Sequence, residues 1–418
     1  YGNPRKTTPK LDALHEAGEL IKFENALSSH THTVQTLTLA LTGAGQESER
    51  KYFELPSFID LANIADYKTA WLTNQIIFGN WDSPVSALAS SADILKKYNN
   101  NVGENLETNY YDDVLLGGLK EILSENKEGN ELIVLHLMGN HGDYCNRYPK
   151  EYSIFEGNLP YSIFGEKNDK FMRQINCYDN SIIFNDMVVT SVIDMLKETG
   201  RAGTVTYLAD HSEHVLENKG HNSAEFDYEM VQIPFLFWAS ESFRGHNQSI
   251  LNRIESKTNV FFLNENLYDF MIGLLKIKTD QYIARQDISS LSYNRNPEDI
   301  KFVNSEHAFQ SSENGYYHFK KLNNSVNGTI YGRLLPHRVN TLGKLSEVIK
   351  FELDGYETDI RIIDSLGETK FAIGHDKDKM FGLFFSDLLE LGMRASDMKI
   401  WLDVKNLTKD NLEAALSH

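Results

Sequence analysis

The run Thr204-Val-Thr-Tyr-Leu-Ala-Asp-His-Ser-Glu-His-Val-Leu-Glu-Asn-Lys-Gly-His221 decides how the rest of the chain is read. Its first five residues are apolar and β-branched, which predicts a short buried strand over 204–208. That strand delivers Asp210 and His211 side by side where it ends. A carboxylate next to an imidazole suits a divalent cation, since Asp supplies a hard oxygen, His a borderline nitrogen, and zinc accepts both. His214 and His221 follow within one loop. Taken alone, the same letters also fit a polar loop with surface histidines.

Working outward, Ser28-Ser-His-Thr-His-Thr33 precedes Val34, Leu37 and Leu41 at helical spacing. This puts hydroxyls and histidines at a helix N-terminus, where free backbone N–H groups and the positive dipole end favour an anion such as phosphate. A simple Ser/Thr cap and a nucleophile both fit this stretch. Thr69–Gln75 and Glu131–His136 read as strands, the second feeding Met138-Gly-Asn-His141-Gly. Tyr110–Glu125 reads as an amphipathic helix, Tyr178–Thr199 as a long helix, Gln232–Trp238 as a buried strand and Leu267–Leu275 as a closing helix. Strands alternating with helices predict an α/β fold, a parallel sheet with helices on both faces. Ligands of such sheets sit off the carboxyl ends of strands, and His136, His141, Asp210 and His211 all fall there.

The chain has 418 residues, enough for two domains, with 41% hydrophobic and 24% charged residues and a net charge of −18. A surface that acidic argues against nucleic acid or anionic lipid as a nonspecific partner. The two cysteines, Cys145 and Cys177, make no disulfide framework and no thiolate zinc site; whether they pair is left open. No apolar run is long enough to cross a bilayer. The chain starts at Tyr1 without methionine, in the middle of a motif, and is read as a fragment.

Residues 1–288 form one expected domain, and the polar stretch 289–326 reads as a linker. A second unit over 327–418 has strands ending at His337-Arg338, at Glu357-Thr-Asp359, at His375-Asp376 and at Asp403 with Lys405. Glu357 and Asp359 are two apart, so they share one face of their strand.

With these motifs in order, the first domain resembles the membrane-anchored phosphoethanolamine transferases of the alkaline phosphatase/sulfatase superfamily. The resemblance rests on Tyr1-Gly-Asn-Pro-Arg-Lys-Thr-Thr-Pro9, His136-Leu-Met-Gly-Asn-His141, Arg147-Tyr-Pro149, Tyr178-Asp-Asn180, Asp210-His-Ser-Glu213 and His221, while Trp71-Leu-Thr-Asn-Gln75 is similar to the branch acting on core sugars of lipopolysaccharide. It implies an alkaline phosphatase-like fold and Thr33 as a nucleophile that takes phosphoethanolamine from phosphatidylethanolamine and passes it to a hydroxyl of lipopolysaccharide lipid A or core sugar. It further implies zinc on Asp210, His211 and Thr33, with His136, His141 and His221 holding the transferred group or a second metal. A periplasmic catalytic domain on inner-membrane helices upstream of this chain is the implied setting. The family's metal-binding glutamate would lie upstream of Tyr1, so this chain's site is expected to be incomplete. The cysteines usual near the nucleophile are replaced by Ser29-His30, and Asp-His-Gly-Glu-Ser is here Asp-His-Ser-Glu-His.

The second unit resembles the glycerophosphodiester phosphodiesterases, which are (β/α) barrels. The resemblance implies His337 and His375 as acid and base, Glu357, Asp359 and Asp403 as ligands of calcium or magnesium, and Arg338 and Lys405 as substrate-binding residues. About ninety residues are present where such barrels need about 250, so a partial barrel is expected. The competing readings of the first domain are a phosphoglycerol transferase, a phosphodiesterase, or a binding module without catalysis. A sulfatase activity is disfavoured, because no Cys/Ser-x-Pro-x-Arg signature is found.

Overall fold

The computed structural model describes residues 5–75, 83–99, 111–125, 129–157, 169–215, 219–311, 317–321, 355–365, 368–373 and 399–406. The chain divides into two compact units, residues 1–323 and 324–418.

The first unit runs α1 (Pro9–Glu16), β1 (Leu20–Lys22), β2 (Ala26–Leu27), α2 (Thr33–Leu41), α3 (Phe58–Ile64), β3 (Lys68–Thr73), α4 (Ser83–Ala89), β4 (Ile94–Lys97), α5 (Val114–Glu125) and β5 (Glu131–His136). It continues with α6 (Asp169–Glu198), β6 (Thr204–Leu208), β7 (Phe235–Ala239), α7 (Glu241–Glu255), β8 (Phe262–Leu263), α8 (Leu267–Leu274), β9 (Lys301–Phe302), β10 (His307–Ser311) and β11 (Tyr317–Lys321). The alternation of strands and helices yields an α/β fold with a parallel-sheet core. β3 lies between β4 and β5, parallel to both. β7 lies between β1 and β6 and is antiparallel to both, which departs from the single parallel sheet expected. The reason is the connection from β6 to β7: its described residues form short 3-10 turns instead of an α-helix, and a parallel return needs a crossover element.

The core is aromatic. Phe235 stacks on Phe23 and on Phe262, each at 4.2 Å between ring centroids, and all three are buried. Burying one such ring contributes roughly 2–3 kcal/mol. Local signals agree with the packing. Ser57 and Asp60 cap α3 reciprocally, with Ser57 N donating to Asp60 Oδ2 at 2.8 Å and Asp60 N to Ser57 Oγ at 3.1 Å. The free amides that open α1 are met from a distance: Lys10 N and Leu11 N donate to the Asp186 carboxylate of α6 at 3.0 and 2.8 Å.

Between the β4-β3-β5 and β1-β7-β6 sheets lies a cavity of about 1140 Å³, lined along one wall by β5 and along the other by β6. Each of these strands is hydrogen-bonded on one side only among the described residues, β5 to β3 and β6 to β7.

The stretch from Ser289 is not a free linker at its start. Ile300 and Phe302 are fully buried and pack with Val303 against Leu27, Val231 and Leu263. Three apolar residues in a polar run suffice to hold it down, and Val303 N donates to Ser29 O at 3.0 Å.

In the second unit β12 (Gly355–Ser365), β13 (Glu368–Ile373) and β14 (Lys399–Val404) form one sheet in the order β13-β12-β14. β14 is parallel to β12, but β13 is antiparallel, which departs from the consecutive parallel strands expected of a barrel arc. Only two residues separate Ser365 from Glu368, too few for anything but a hairpin return. The expected strand ending at His337-Arg338 lies outside the described residues.

Candidate active site

β6 hands over to Ala209, Asp210 and His211, and the turn is pinned from behind by a buried amide. Asn264 Nδ2 donates to the Asp210 carbonyl at 2.9 Å, and Asn264 Oδ1 accepts from Ser29 N at 3.2 Å. One side chain thus ties the end of β6 to the segment that leads into α2. Thr33 is the first residue of α2, with His32 at the cap position in extended conformation. These placements bring Thr33, Asp210 and His211 together. Thr33 Oγ1 is 3.4 Å from His211 Nε2, and its hydroxyl acts on the neighbouring Asp210 carboxylate. Asp210 Oδ2 is 3.6 Å from the same Nε2. Burial opposes charge on Asp210, yet His211 and the Thr33 hydroxyl outweigh it and hold the carboxyl below its usual range.

Three donors at these separations fit one zinc ion, because ligands about 2 Å from a tetrahedral ion stand about 3.3 Å from one another. They leave one tetrahedral position to another ligand.

Around this point stand further imidazoles. The His221 ring lies 4.6 Å from His211, 5.4 Å from His32 and 5.9 Å from His141. Glu213 Oε1 is 3.2 Å from His221 Nδ1, and that hydrogen bond raises the His221 pKa. Burial lowers the pKa of His30 to about 4, and it lowers His32 and His141 as well. His136, at the end of β5, is also pushed down to about 4 by burial and approaches Thr73 Oγ1 at 3.2 Å. The site therefore offers imidazoles held toward their neutral form by burial beside one, His221, that is biased toward its cationic form. Such a mixture can hold a phosphoryl group and exchange protons with it. Thr33, His136, His141, Asp210 and His211 all border the cavity.

Two supporting residues escape sequence reasoning. Asp112 accepts from Met138 N, Gly139 N and Asn74 Nδ2, each at 2.8 Å, and so shapes the loop that presents His141. In sequence it falls inside the stretch Tyr110–Glu125 read as an amphipathic helix. Asn264 carries no sequence signal. Cys145 and Cys177 are joined in a disulfide.

In the second unit Glu357 and Asp359 lie on β12, and Asp403 on β14 is the register partner of Asp359. Lys405 follows β14, its N donating to Ile360 O at 3.0 Å. His337, Arg338 and His375 lie outside the described residues.

The Sulfatase family matches residues 1–274. Phosphoethanolamine transferase EptC of Escherichia coli (strain K12) is 34% identical over 251 residues, 59% of this chain and 43% of that protein. Phosphoethanolamine transferase EptA of Helicobacter pylori is 29% identical over 268 residues, 63% of this chain and 49% of that protein. The chain thus spans about half the length, or less, of the curated relatives it matches. Among solved structures, the C-terminal periplasmic domain of EcEptC from Escherichia coli in complex with Zn superposes with a TM-score of 0.65 at 28% identity, covering 71% of this chain and 83% of that one. These likenesses establish an alkaline phosphatase-like α/β fold with transferase relatives. They lend no support to a glycerophosphodiester phosphodiesterase-like second unit or to calcium or magnesium in it.

Proposed function

The chain belongs to the Sulfatase family, and from that premise we propose that it moves phosphoethanolamine from phosphatidylethanolamine to a hydroxyl of a cell-envelope acceptor, lipid A or a core sugar of lipopolysaccharide. The observation that carries the proposal is Thr33, whose hydroxyl contacts the Asp210 carboxylate and stands 3.4 Å from His211 Nε2 at the opening turn of α2. In the first step Thr33 Oγ1 bonds to phosphorus and diacylglycerol leaves with a proton. In the second the acceptor oxygen bonds to phosphorus as the Thr33 Oγ1–phosphorus bond breaks, and Thr33 takes up the proton that the acceptor hydroxyl loses. Asp210, His211 and Thr33 would hold a zinc ion, which supplies a lowered hydroxyl pKa and charge for the phosphoryl oxygens. The backbone amides opening α2 face the developing negative charge. His221, kept basic by Glu213, attracts the phosphate, and His141 and His136 complete its surroundings.

We assign the fourth metal ligand to a carboxylate on a further strand seated between β5 and β6. The one-sided pairing of both strands and the cavity between them support that assignment. A periplasmic setting is supported by the Cys145–Cys177 disulfide, a bond of oxidising compartments, and by the periplasmic domain it resembles. No helix among the described residues is long and apolar enough to cross a membrane, so membrane attachment in this reading comes from other segments.

The test is mass spectrometry of peptides after incubation with phosphatidylethanolamine vesicles and zinc. Phosphoethanolamine is expected on Thr33 and absent from Thr33→Ala. A phosphoglycerol adduct formed only with phosphatidylglycerol favours the phosphoglycerol transferase reading, and an adduct on another residue refutes the nucleophile.

A further inference from the structure

The loop that follows the Asp210-His211 pair carries a second convergence of ligand-type side chains. His214, Asp227 and Glu229 bring ligand atoms within 4.8 Å of one another, and among the described residues they are the one group of three His, Cys, Asp or Glu side chains to do so. His214 is nine-tenths buried, and its Nδ1 makes no hydrogen bond. That nitrogen points at Asp227 Oδ2 from 3.2 Å but out of line for a hydrogen bond. An imidazole lone pair turned toward a carboxylate gains nothing without a proton or a cation between them. The Asp227 and Glu229 carboxylate oxygens lie within 4.8 Å of each other, which places two carboxyl groups side by side. Lys219 Nζ reaches Asp227 Oδ2 at 3.0 Å, and Tyr228 N occupies the other oxygen at 2.9 Å. Among the described residues this ammonium meets Asp227, and Glu229 and the His214 nitrogen lie beside that pair.

The frame of this cluster is set by backbone, not by the side chains that compose it. His214 N donates to Gly220 O at 2.8 Å and Lys219 N to His214 O at 3.2 Å, while Ser212 N donates to Met230 O at 2.9 Å. Gly220 takes a left-handed φ of 57°, which lets the chain turn directly into His221.

We propose that His214 Nδ1, Asp227 and Glu229 form a second divalent-cation site, separate from Thr33, Asp210 and His211, that braces the turn presenting Glu213 and His221. One imidazole with two carboxylates selects a first-row cation such as zinc or manganese over magnesium or calcium, which prefer oxygen alone. Lys219 acts as the resident competitor, so binding requires it to move off Asp227. The inference rests on neither the transferase reading nor the occupancy of the first site.

The experiment is zinc content after equilibrium dialysis and a calorimetric titration with zinc chloride on the chain, Glu229→Gln, His214→Gln and Lys219→Met. Glu229 is exposed, so its amide variant keeps the fold even where the buried His214→Gln does not. Glu229→Gln is expected to bind one zinc fewer per chain than the parent, with affinity at that site falling more than the ~10–100-fold typical of losing an outer-shell partner. Lys219→Met is expected to tighten it. Amide exchange of 213–215 and 219–221 should slow with zinc in the parent and not in Glu229→Gln. Equal zinc content in the parent and Glu229→Gln, or tighter binding of magnesium than of zinc at this cluster, overturns the proposal.

Discussion

Opening the Cys145–Cys177 bond with Cys145→Ala and Cys177→Ala should loosen the first unit and one part of the site in particular. The bond closes a loop of 32 residues. Chain-entropy reasoning for that length gives about 3.7 kcal/mol, most of it from the freed unfolded chain. Cys177 is buried among Ile175, Tyr144 and Phe184, so two lost sulfurs add roughly 1 kcal/mol of void. A total near 4–5 kcal/mol corresponds to a Tm lowered by about 6–8 °C in a unit this large. The loss should be unevenly felt. Cys145 sits in the turn Tyr144–Asn146, and Arg147 just after it donates from Nε to His141 O at 2.7 Å. Untying that turn from α6 releases the holder of His141, while Asp210, His211 and Thr33 stay moored by Asn264. Calorimetry gives the first number and hydrogen exchange over 138–147 gives the second. A Tm shift under about 2 °C, or faster exchange spread evenly over the unit, would refute the reasoning.

Asp269 is buried, and burial raises its pKa to about 7 even though Ile283 N donates to it at 2.6 Å. The folded acid keeps its proton where the unfolded one has lost it, so this group's stabilisation is complete below about pH 4 and disappears as pH rises through about 7. Asp269→Asn should therefore gain roughly 2–3 kcal/mol relative to the parent between about pH 5 and pH 8, read by denaturant unfolding at both. Asp112→Ala leaves two loop amides and Asn74 without their acceptor and should cost about 2–4 kcal/mol with a large loss of transfer, measured by urea unfolding and acceptor labelling. Glu213→Gln removes the bond that raises His221, so the His221 proton should be lost at lower pH, followed by NMR titration of the ring. For the second unit, a glycerophosphodiesterase requires His337→Ala to abolish metal-dependent hydrolysis while Thr33 labelling persists; no hydrolysis by the parent chain ends that reading.

What sequence shows here depends on how local the cause is. β6 is legible to the residue, because Thr204–Leu208 is a β-branched run with a clear end. α8 and α5 follow from apolar spacing, with ends displaced by one to a few residues. The antiparallel turn-back of β7 is not legible, since strand direction depends on what the intervening loop becomes. Thr33 could be singled out by its place before a helix, but its approach to His211 depends on Asn264, more than two hundred residues away in the chain. Asp112 hides for a similar reason: read inside the helix Tyr110–Glu125, it gives no sign of the distant loop amides it binds. In the second unit the alternation that predicts a strand cannot distinguish a hairpin from an arc of parallel strands.

β5 and β6, each paired along one side, carry a consequence for how the chain behaves in company. A row of open N–H and C=O groups is a template that accepts any extended backbone of suitable pattern. Two such rows facing one cleft would grip a guest strand from both flanks, and a guest so held has no edge left to recruit the next. An occupant of the cleft, such as the further strand assigned to it above, is therefore self-limiting, whereas β1 and β4, each paired along one side among the described residues, offer only one-sided adhesion.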